Sequence, residues 1–208
     1  MQALRAQLKE FHGVVLDVGS GDTPYKPLLL ALPSRAKKYI ALDIEHSNYQ
    51  KPDFVWDGVV MPFDDKSVDC AFATEVLEHC PVPEIVLRET LRVLKPGGFF
   101  FFTVPFLWLL HCVPHDEYRY TPFALTRHLQ NVGFEQIKIK AHGGWDISLA
   151  QMIGLWVRRR PMSERKQKIL SRLAFPIVRY LAAHDKVPPN FPDRMMQTGV
   201  SVTARKPA

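Results

Sequence analysis

The sequence predicts an α/β fold built on an open, doubly wound, mostly parallel sheet of seven strands. Three observations predict it. Short apolar runs alternate with stretches of helical periodicity over the first two-thirds of the 208 residues. Most of those runs show no polar alternation, which is the signature of strands buried on both faces between layers of helices. The last two runs do alternate, as expected of an antiparallel C-terminal hairpin.

The first strand is VVLDV (14–18), followed by PYKPLLLAL (24–32), read as helix. YIALD (39–43) and DFVW (53–56) supply the second and third strands, and VDCAFA (68–73) the fourth. In PEIVLRETLRVL (83–94), Ile85, Leu87, Leu91 and Leu94 form an apolar stripe, and KPGG ends the helix. GFFFFTV (98–104) is the fifth strand. Thr121-Pro122 places a capping hydroxyl ahead of a proline at the first helical position and opens TPFALTRHLQNVGF. IKIKA (137–141) and VSVTA (200–204) are the final strands. Between them, residues 147–186 carry helical spacing, with Pro176 expected to bend or divide the second helix. The chain reads as a single domain over 1–208, with 147–186 a basic amphipathic helical insertion before the last strand.

A hydrophobic content of 47% and a charged content of 23% are ordinary for a water-soluble domain. Three cysteines make no disulfide framework, so a reducing compartment is expected. The apolar run from Phe99 to Val113 is too short for a membrane span, and MQALRAQLKEFHG lacks the apolar core of a signal peptide. The expected location is cytoplasmic. The net charge of +6 is local: Arg158 to Arg179 holds eight Lys/Arg against Glu164, a balance of +7 that leaves −1 for the rest. Any argument from charge to partner concerns that segment.

VVLDVGSGDTPY (14–25) marks the ligand site. Gly19 and Gly21 fall where the first strand turns, and without Cβ atoms they let a ligand lie against the backbone. A dinucleotide fingerprint needs a third glycine where Pro24 stands. The competing reading is a ligand with a ribose but no pyrophosphate: Asp43 accepts both ribose hydroxyls and Ile44 covers one face of an adenine. VLDVGSG, LDIE, WDGVVMPFDDKSVDCAFATEVLEH and LRVLKPGGFFFFTVP together resemble the class I S-adenosylmethionine-dependent methyltransferases of the type-11-like group, over residues 14 to about 105. GFEQIKIK and TGVSVTARK fit that group's last two strands. The resemblance implies a Rossmann-like fold with S-adenosylmethionine as cofactor. It implies that Asp17, Gly19 and Gly21 face the methionine portion, that Asp43 takes the ribose diol, and that Asp57 accepts from the adenine amino group. Thr74 and Glu75 would line the pocket. The sequence departs from the group where Asp22-Thr23 replaces a usual third glycine, and in the length of 147–186.

Methyl transfer from a sulfonium requires an acceptor held in line and, for a hydroxyl, a base. His79 in EVLEH and His115 in HCVPHDEYRY (111–120) are the candidate catalytic residues, because imidazole titrates near neutrality. The same loop resembles a His/acid/Tyr/Arg run of type-11-like relatives, which implies acceptor binding by Asp116, Tyr118 and Arg119; an Arg119 clamp on Asp116 or Glu117 is the structural alternative. No metal is expected, since His111, His115 and Asp116 lack a fourth ligand and any Cys/His spacing. Thr74-Glu75-Val76-Leu77 stands where nucleobase N-methyltransferases carry an Asn/Asp-Pro-Pro-aromatic signature, which argues against nucleobase N-methylation and leaves hydroxyl, carboxyl and carbon acceptors open. The leading expectation is O-methylation of a small-molecule, sugar or lipid-linked acceptor. Two other functions stay open: a cofactor-binding protein without turnover, and an RNA methyltransferase using the basic insertion. The third is disfavoured because the insertion carries many aliphatics and no RNA-binding module. The 147–186 block reads first as a helical cover over the acceptor site with its charges solvated. Since residues 149–181 mix apolar stripes with Lys/Arg, they also offer a contact to an anionic membrane surface, such as the inner face of a membrane.

Overall fold

The computed structural model describes residues 1–44 and 51–208. A short helix α1 (Gln2–Arg5) and a 3-10 turn (Leu8–Glu10) precede β1 (His12–Val18), α2 (Lys26–Leu29), β2 (Arg35–Ile44) and β3 (Phe54–Trp56). β4 (Val68–Thr74) continues through a second 3-10 turn (Leu77–His79) into α3 (Pro83–Val93), β5 (Leu94–Pro105), α4 (Pro122–Val132) and β6 (Glu135–His142). Helices α5 (Trp145–Arg159) and α6 (Glu164–His184) come before β7 (Gly199–Arg205). The sheet order is β3-β2-β1-β4-β5-β7-β6. All neighbours pair in parallel except β7, which runs antiparallel to β5 and β6. The fold is α/β, with the mostly parallel seven-stranded sheet and antiparallel C-terminal pair that the sequence predicts.

The unalternated strands are buried on both faces. Leu16, Val18, Ala71, Phe100 and Phe102 join one core with Val86 and Leu87 of α3 and Leu125 and Leu129 of α4. The intervening residues Val15, Cys70, Phe72, Phe99 and Phe101 join the other with Leu4, Leu8, Phe11 and Leu29. Each fully buried phenylalanine contributes roughly 1.5–3 kcal/mol, so the FFFF run of β5 anchors both layers at once. Thr121 caps α4 as expected, its hydroxyl accepting from the Ala124 N–H at 3.2 Å, and Gly133 ends the helix in the left-handed region at φ 105°.

Several elements differ from expectation. Only Lys26–Leu29 of the 24–32 segment is helical, because Pro24 and Pro33 bracket it and Pro27 removes another amide donor. The buried row of α3 is Val86, Leu87, Thr90 and Val93, one position off the expected stripe, and Leu94 already belongs to β5. β2 starts at Arg35, where exposed Lys37 and Lys38 disguise the strand's outer end. Pro176 does not divide its helix: α6 runs continuously from Glu164 to His184. A proline removes one intrahelical bond, and the turns on either side carry the helix through it.

The order of the strands positions the site. From β1 the chain moves to β2 and β3 on one side, then returns through β4 to β5 on the other. The loops that follow β1 and β4 therefore part company, and a crevice opens outside their carboxyl ends.

Candidate active site

The loop after β1 is stitched to the end of β2. Gly19 and Ser20 both donate their N–H groups to the Leu42 carbonyl, at 2.8 and 3.1 Å. Gly21 donates its N–H to Asp43 Oδ2 at 2.8 Å, and Ile44 donates to Asp43 Oδ1 at 2.8 Å. The turn and the acid thus share one edge of the sheet. Gly19 has φ +69°, and a Cβ there would meet Val76 Cγ2 at 2.5 Å, so both conformation and space demand glycine. Gly21 also lies in the left-handed region, at φ 49°.

Asp17 continues the inward row of β1 and is buried. The Tyr39 hydroxyl donates to its Oδ2, while Oδ1 is buried without a hydrogen-bond partner among the described residues. Burial, opposed by the Tyr39 bond and reinforced by Asp43, pushes its carboxyl up to about 7. Asp57 lies in an exposed loop and accepts at Oδ1 from Val59 and Val60, at 2.8 and 3.0 Å. These two bonds hold its carboxyl below the usual range. That loop is fixed from behind by Arg92, which donates to Glu89, to Asp65 and to the carbonyls of Met61 and Phe63. Ile44, Val59 and Val60 present exposed apolar surface beside Asp57 and the end of β2.

Thr74 ends β4, and Glu75 turns the chain at φ 54°. The Glu75 carboxylate accepts from Thr103 Oγ1 at 2.7 Å. One turn on, Glu78 is fully buried, and neither carboxylate oxygen has a hydrogen-bond partner among the described residues. Burial, with the Glu75 charge second, pushes its carboxyl up to about 8. His79 lies beside it, Nε2 at 3.8 Å from Glu78 Oε1, and its ring meets that of His111 edge-on with centroids 4.7 Å apart. Its Nδ1 sits 2.6 Å from the His115 carbonyl. A carbonyl only accepts, so Nδ1 carries the hydrogen and Nε2 offers the lone pair.

The loop between β5 and α4 closes over this turn. Glu117 and Tyr118 donate their N–H groups to the Glu78 carbonyl, Tyr118 Oη donates to the Pro81 carbonyl, and Tyr120 Oη to that of Leu77. Asp116 accepts from both terminal nitrogens of Arg119, at 2.6 and 2.9 Å, and from the His111 N–H at 3.0 Å. The guanidinium holds the Asp116 carboxyl far below the usual range. The structure brings His79 together with Glu78, which sequence reasoning passed over, and with His111, which it weighed only as a metal ligand beside His115 and Asp116. The His115 ring lies at the surface, and only its carbonyl enters the cluster. The polar groups of Asp116, Tyr118 and Arg119 are engaged in folding the loop.

On the same edge, where β6 ends beside β7, a groove of about 700 Å³ is lined by Trp145, His184, Pro188, Pro192, Met195 and Met196, among others.

A bare glycine turn against a two-oxygen acid, at the switch point of a doubly wound sheet, is the arrangement the sequence resemblance implies. Residues 16–102 match the family model described as a methyltransferase domain. Over those residues, fewer than half of its length, the chain is similar to the methyltransferase-domain family. The chain is 42% identical to a sterol 24-C-methyltransferase of Candida albicans over 66 residues, which are 31% of this chain and 16% of that protein. It is 60% identical to squalene methyltransferase 2 of Botryococcus braunii over 40 residues, 19% of this chain and 11% of that protein. The chain therefore matches only a small part of the length of these curated relatives. A SAM-dependent methyltransferase from Archaeoglobus fulgidus superposes with a TM-score of 0.59 at 16% identity, over 99% of this chain and 90% of that one. Phosphoethanolamine N-methyltransferase 2 of Haemonchus contortus, in complex with S-adenosyl-L-methionine, gives a TM-score of 0.59 at 13% identity, over 100% of this chain and 52% of that one. At these identities the likeness establishes the fold.

S-adenosylmethionine is the cofactor of this family, and the residues present fit it. An ionised carboxylate has about four lone-pair sites; the two backbone bonds of Asp43 leave capacity for a diol. The orphaned Asp17 Oδ1 suits an ammonium donor. At Gly19 the backbone lies where any side chain would collide.

Proposed function

We propose that this methyltransferase passes the methyl group of S-adenosylmethionine to an oxygen of a small-molecule or lipid-linked acceptor. When bound, the cofactor supplies a methyl group already activated as an electrophile. Asp43 holds the ribose hydroxyls, Asp57 and Ile44 the adenine, and Asp17, Gly19 and Gly21 the methionine end, with Thr74 and Glu75 lining the space between. The cluster at Glu78, His79 and His111 is where the acceptor hydroxyl loses its proton, and the His115 carbonyl at 2.6 Å fixes the orientation of the His79 ring there. Asp116 and Arg119 are positioning residues: they hold His111 and fold the loop over the cluster. The groove beside Trp145 is the candidate acceptor site: Trp145, Pro188, Pro192, Met195 and Met196 suit an apolar chain, and Asp146, Lys186, Asp193 and Arg194 a polar head.

The observation that carries this reading is the 2.8 Å bond from Gly21 N–H to Asp43, which joins the bare turn to the acid at the switch point. The names of the curated relatives, a sterol 24-C-methyltransferase and a squalene methyltransferase, support a lipidic acceptor; the first names a carbon as the atom methylated in that protein. Calorimetry with S-adenosylmethionine and its demethylated product tests the donor half. Binding in the micromolar range is expected, weakened at least tenfold in Asp43→Ala, since a hydrogen bond to a charged group is worth about 1.5–3 kcal/mol. Absence of binding at millimolar concentration, or unchanged affinity in Asp43→Ala, overturns the reading.

A further inference from the structure

We propose that Glu78, His79 and His111 form a binding site for a divalent transition-metal ion. One ligand atom from each lies within 4.8 Å of the other two. Metal–ligand bonds of about 2.0–2.2 Å put coordinated atoms roughly 3–4 Å apart, so binding asks for a contraction of about 1 Å, not a rearrangement.

Three further features point to a cation. Glu78 is fully buried, yet neither oxygen has a hydrogen-bond partner among the described residues. A carboxylate so placed is costly unless a cation or a proton meets it. Both imidazoles are oriented through Nδ1, His79 by the His115 carbonyl at 2.6 Å and His111 by Asp116 Oδ2 at 3.3 Å. Asp116 is itself fixed by Arg119. This leaves each Nε2 to coordinate, with carbonyl and carboxylate partners behind the rings, the usual support of metal-bound histidine. Other acidic groups lie alongside: Glu75 stands one turn before Glu78, and Asp116, bound by Arg119, sits behind His111.

The ligand chemistry sets the class of ion. Two imidazoles and one carboxylate suit zinc, manganese or iron(II), whereas magnesium and calcium prefer oxygen. The imidazole side chains are 23% and 24% exposed, so an ion reaches the cluster from solvent. Three protein ligands leave at least one position open, as in catalytic rather than structural sites. Resting on the methyl-transfer reading, that position takes the acceptor oxygen. A hydroxyl bound to such an ion gives its proton to solvent near neutral pH, and His79 then holds the ion instead of acting as the base. The sequence expectation of no metal rested on a missing fourth ligand and on spacing, and it weighed His111 with His115 and Asp116 rather than with Glu78 and His79 of the preceding loop.

The experiment uses the full chain stripped with chelator and titrated separately with Zn²⁺, Mn²⁺ and Mg²⁺. Calorimetry and elemental analysis are expected to give one equivalent of Zn²⁺ or Mn²⁺, bound at least tenfold tighter than Mg²⁺. Replacing Zn²⁺ with Co²⁺ is expected to yield visible ligand-field bands. His111→Asn, which alters a partly exposed loop ring, is expected to weaken binding tenfold or more and abolish those bands, and Glu78→Gln to do the same. Circular dichroism and the melting curve identify any variant that does not fold, and His79→Asn then replaces it. Stoichiometry well below one, or affinity and spectra unchanged in the folded variants, overturns the site. Cofactor titration of the same stripped chain separates the two proposals. A chain that binds cofactor but no ion loses only the metal site, and one that binds ion but no cofactor loses only the methyl-transfer reading.

Discussion

At the residue scale, Asp17 joins stability to cofactor binding. Its carboxyl is raised to about 7 in the folded chain, chiefly by burial. An unfolded aspartate titrates near 3.9, so between about pH 4 and pH 7 the folded protein holds a proton that the unfolded chain has released. The group's stabilising contribution is complete below about pH 4 and is lost as pH rises through 7. One proton gives a slope of at most about 1.4 kcal/mol per pH unit. Urea unfolding of the cofactor-free chain across pH 5–8 is expected to show midpoints falling with pH, and Asp17→Asn to flatten that fall. Midpoints that rise over the same range in the parent, or an identical slope in the variant, refute this account. Sequence alone placed Asp17 beside the turn. It did not show that Tyr39, on the neighbouring strand, already occupies one of its oxygens, because that contact depends on the register pairing Asp17 with Ala41.

At the element scale, the segment between β5 and α4 is held less by apolar packing than by polar ties back to the turn after β4. Arg119 contributes most of its internal structure, bonding both oxygens of Asp116 and the carbonyls of Leu109 and Tyr118. The Asp116 side chain is only 2% exposed, so removing its partner strands a buried charge. Arg119→Ala is expected to cost about 1–3 kcal/mol. It is also expected to speed amide exchange in residues 108–119 while leaving β1, β4 and β5 protected. Arg119→Lys should recover only part of this, because an ammonium cannot form the two-pronged bond. Uniformly faster exchange throughout the chain, or none at all, contradicts a local clamp. The strands around this loop were legible, since each is a continuous apolar run. So was the start of α4, since Thr-Pro is a local signal. The Glu78–His79–His111 cluster was not, because its members converge only when the β5–α4 loop folds back onto the β4 turn. The helix α1 was also missed: Leu4 and Leu8 cover one face of the sheet, but too few apolar positions repeat there to announce it.

At the scale of the whole molecule, the charge and the exposed apolar surface coincide on the α5–α6 unit. No residue of α6 is buried. Ile169, Leu173, Ile177 and Tyr180 recur at helical spacing and are all at least half exposed. On α5, Leu149, Met152 and Trp156 are also exposed at helical spacing, with the Arg160 guanidinium 4.0 Å from the Trp156 ring. No helix among the described residues is long and apolar enough to cross a membrane. An amphipathic helix with a basic flank instead suits the plane of an anionic interface, where each nearby Lys or Arg contributes about 1 kcal/mol. We therefore expect the chain to sediment with vesicles containing anionic lipid and to remain in solution with neutral ones. Replacing Arg165, Lys168 and Arg172 by Gln should remove about 3 kcal/mol, a loss of roughly a hundredfold in partitioning. Raising the salt should weaken the parent more than the variant, which keeps five of the eight Lys/Arg of this segment. Because these residues lie outside both hydrophobic cores, the melting temperature should hold while binding falls. Equal sedimentation with neutral and anionic vesicles at physiological salt eliminates the electrostatic contact. The exposed stripe would then be left to a protein partner, or to the acceptor itself.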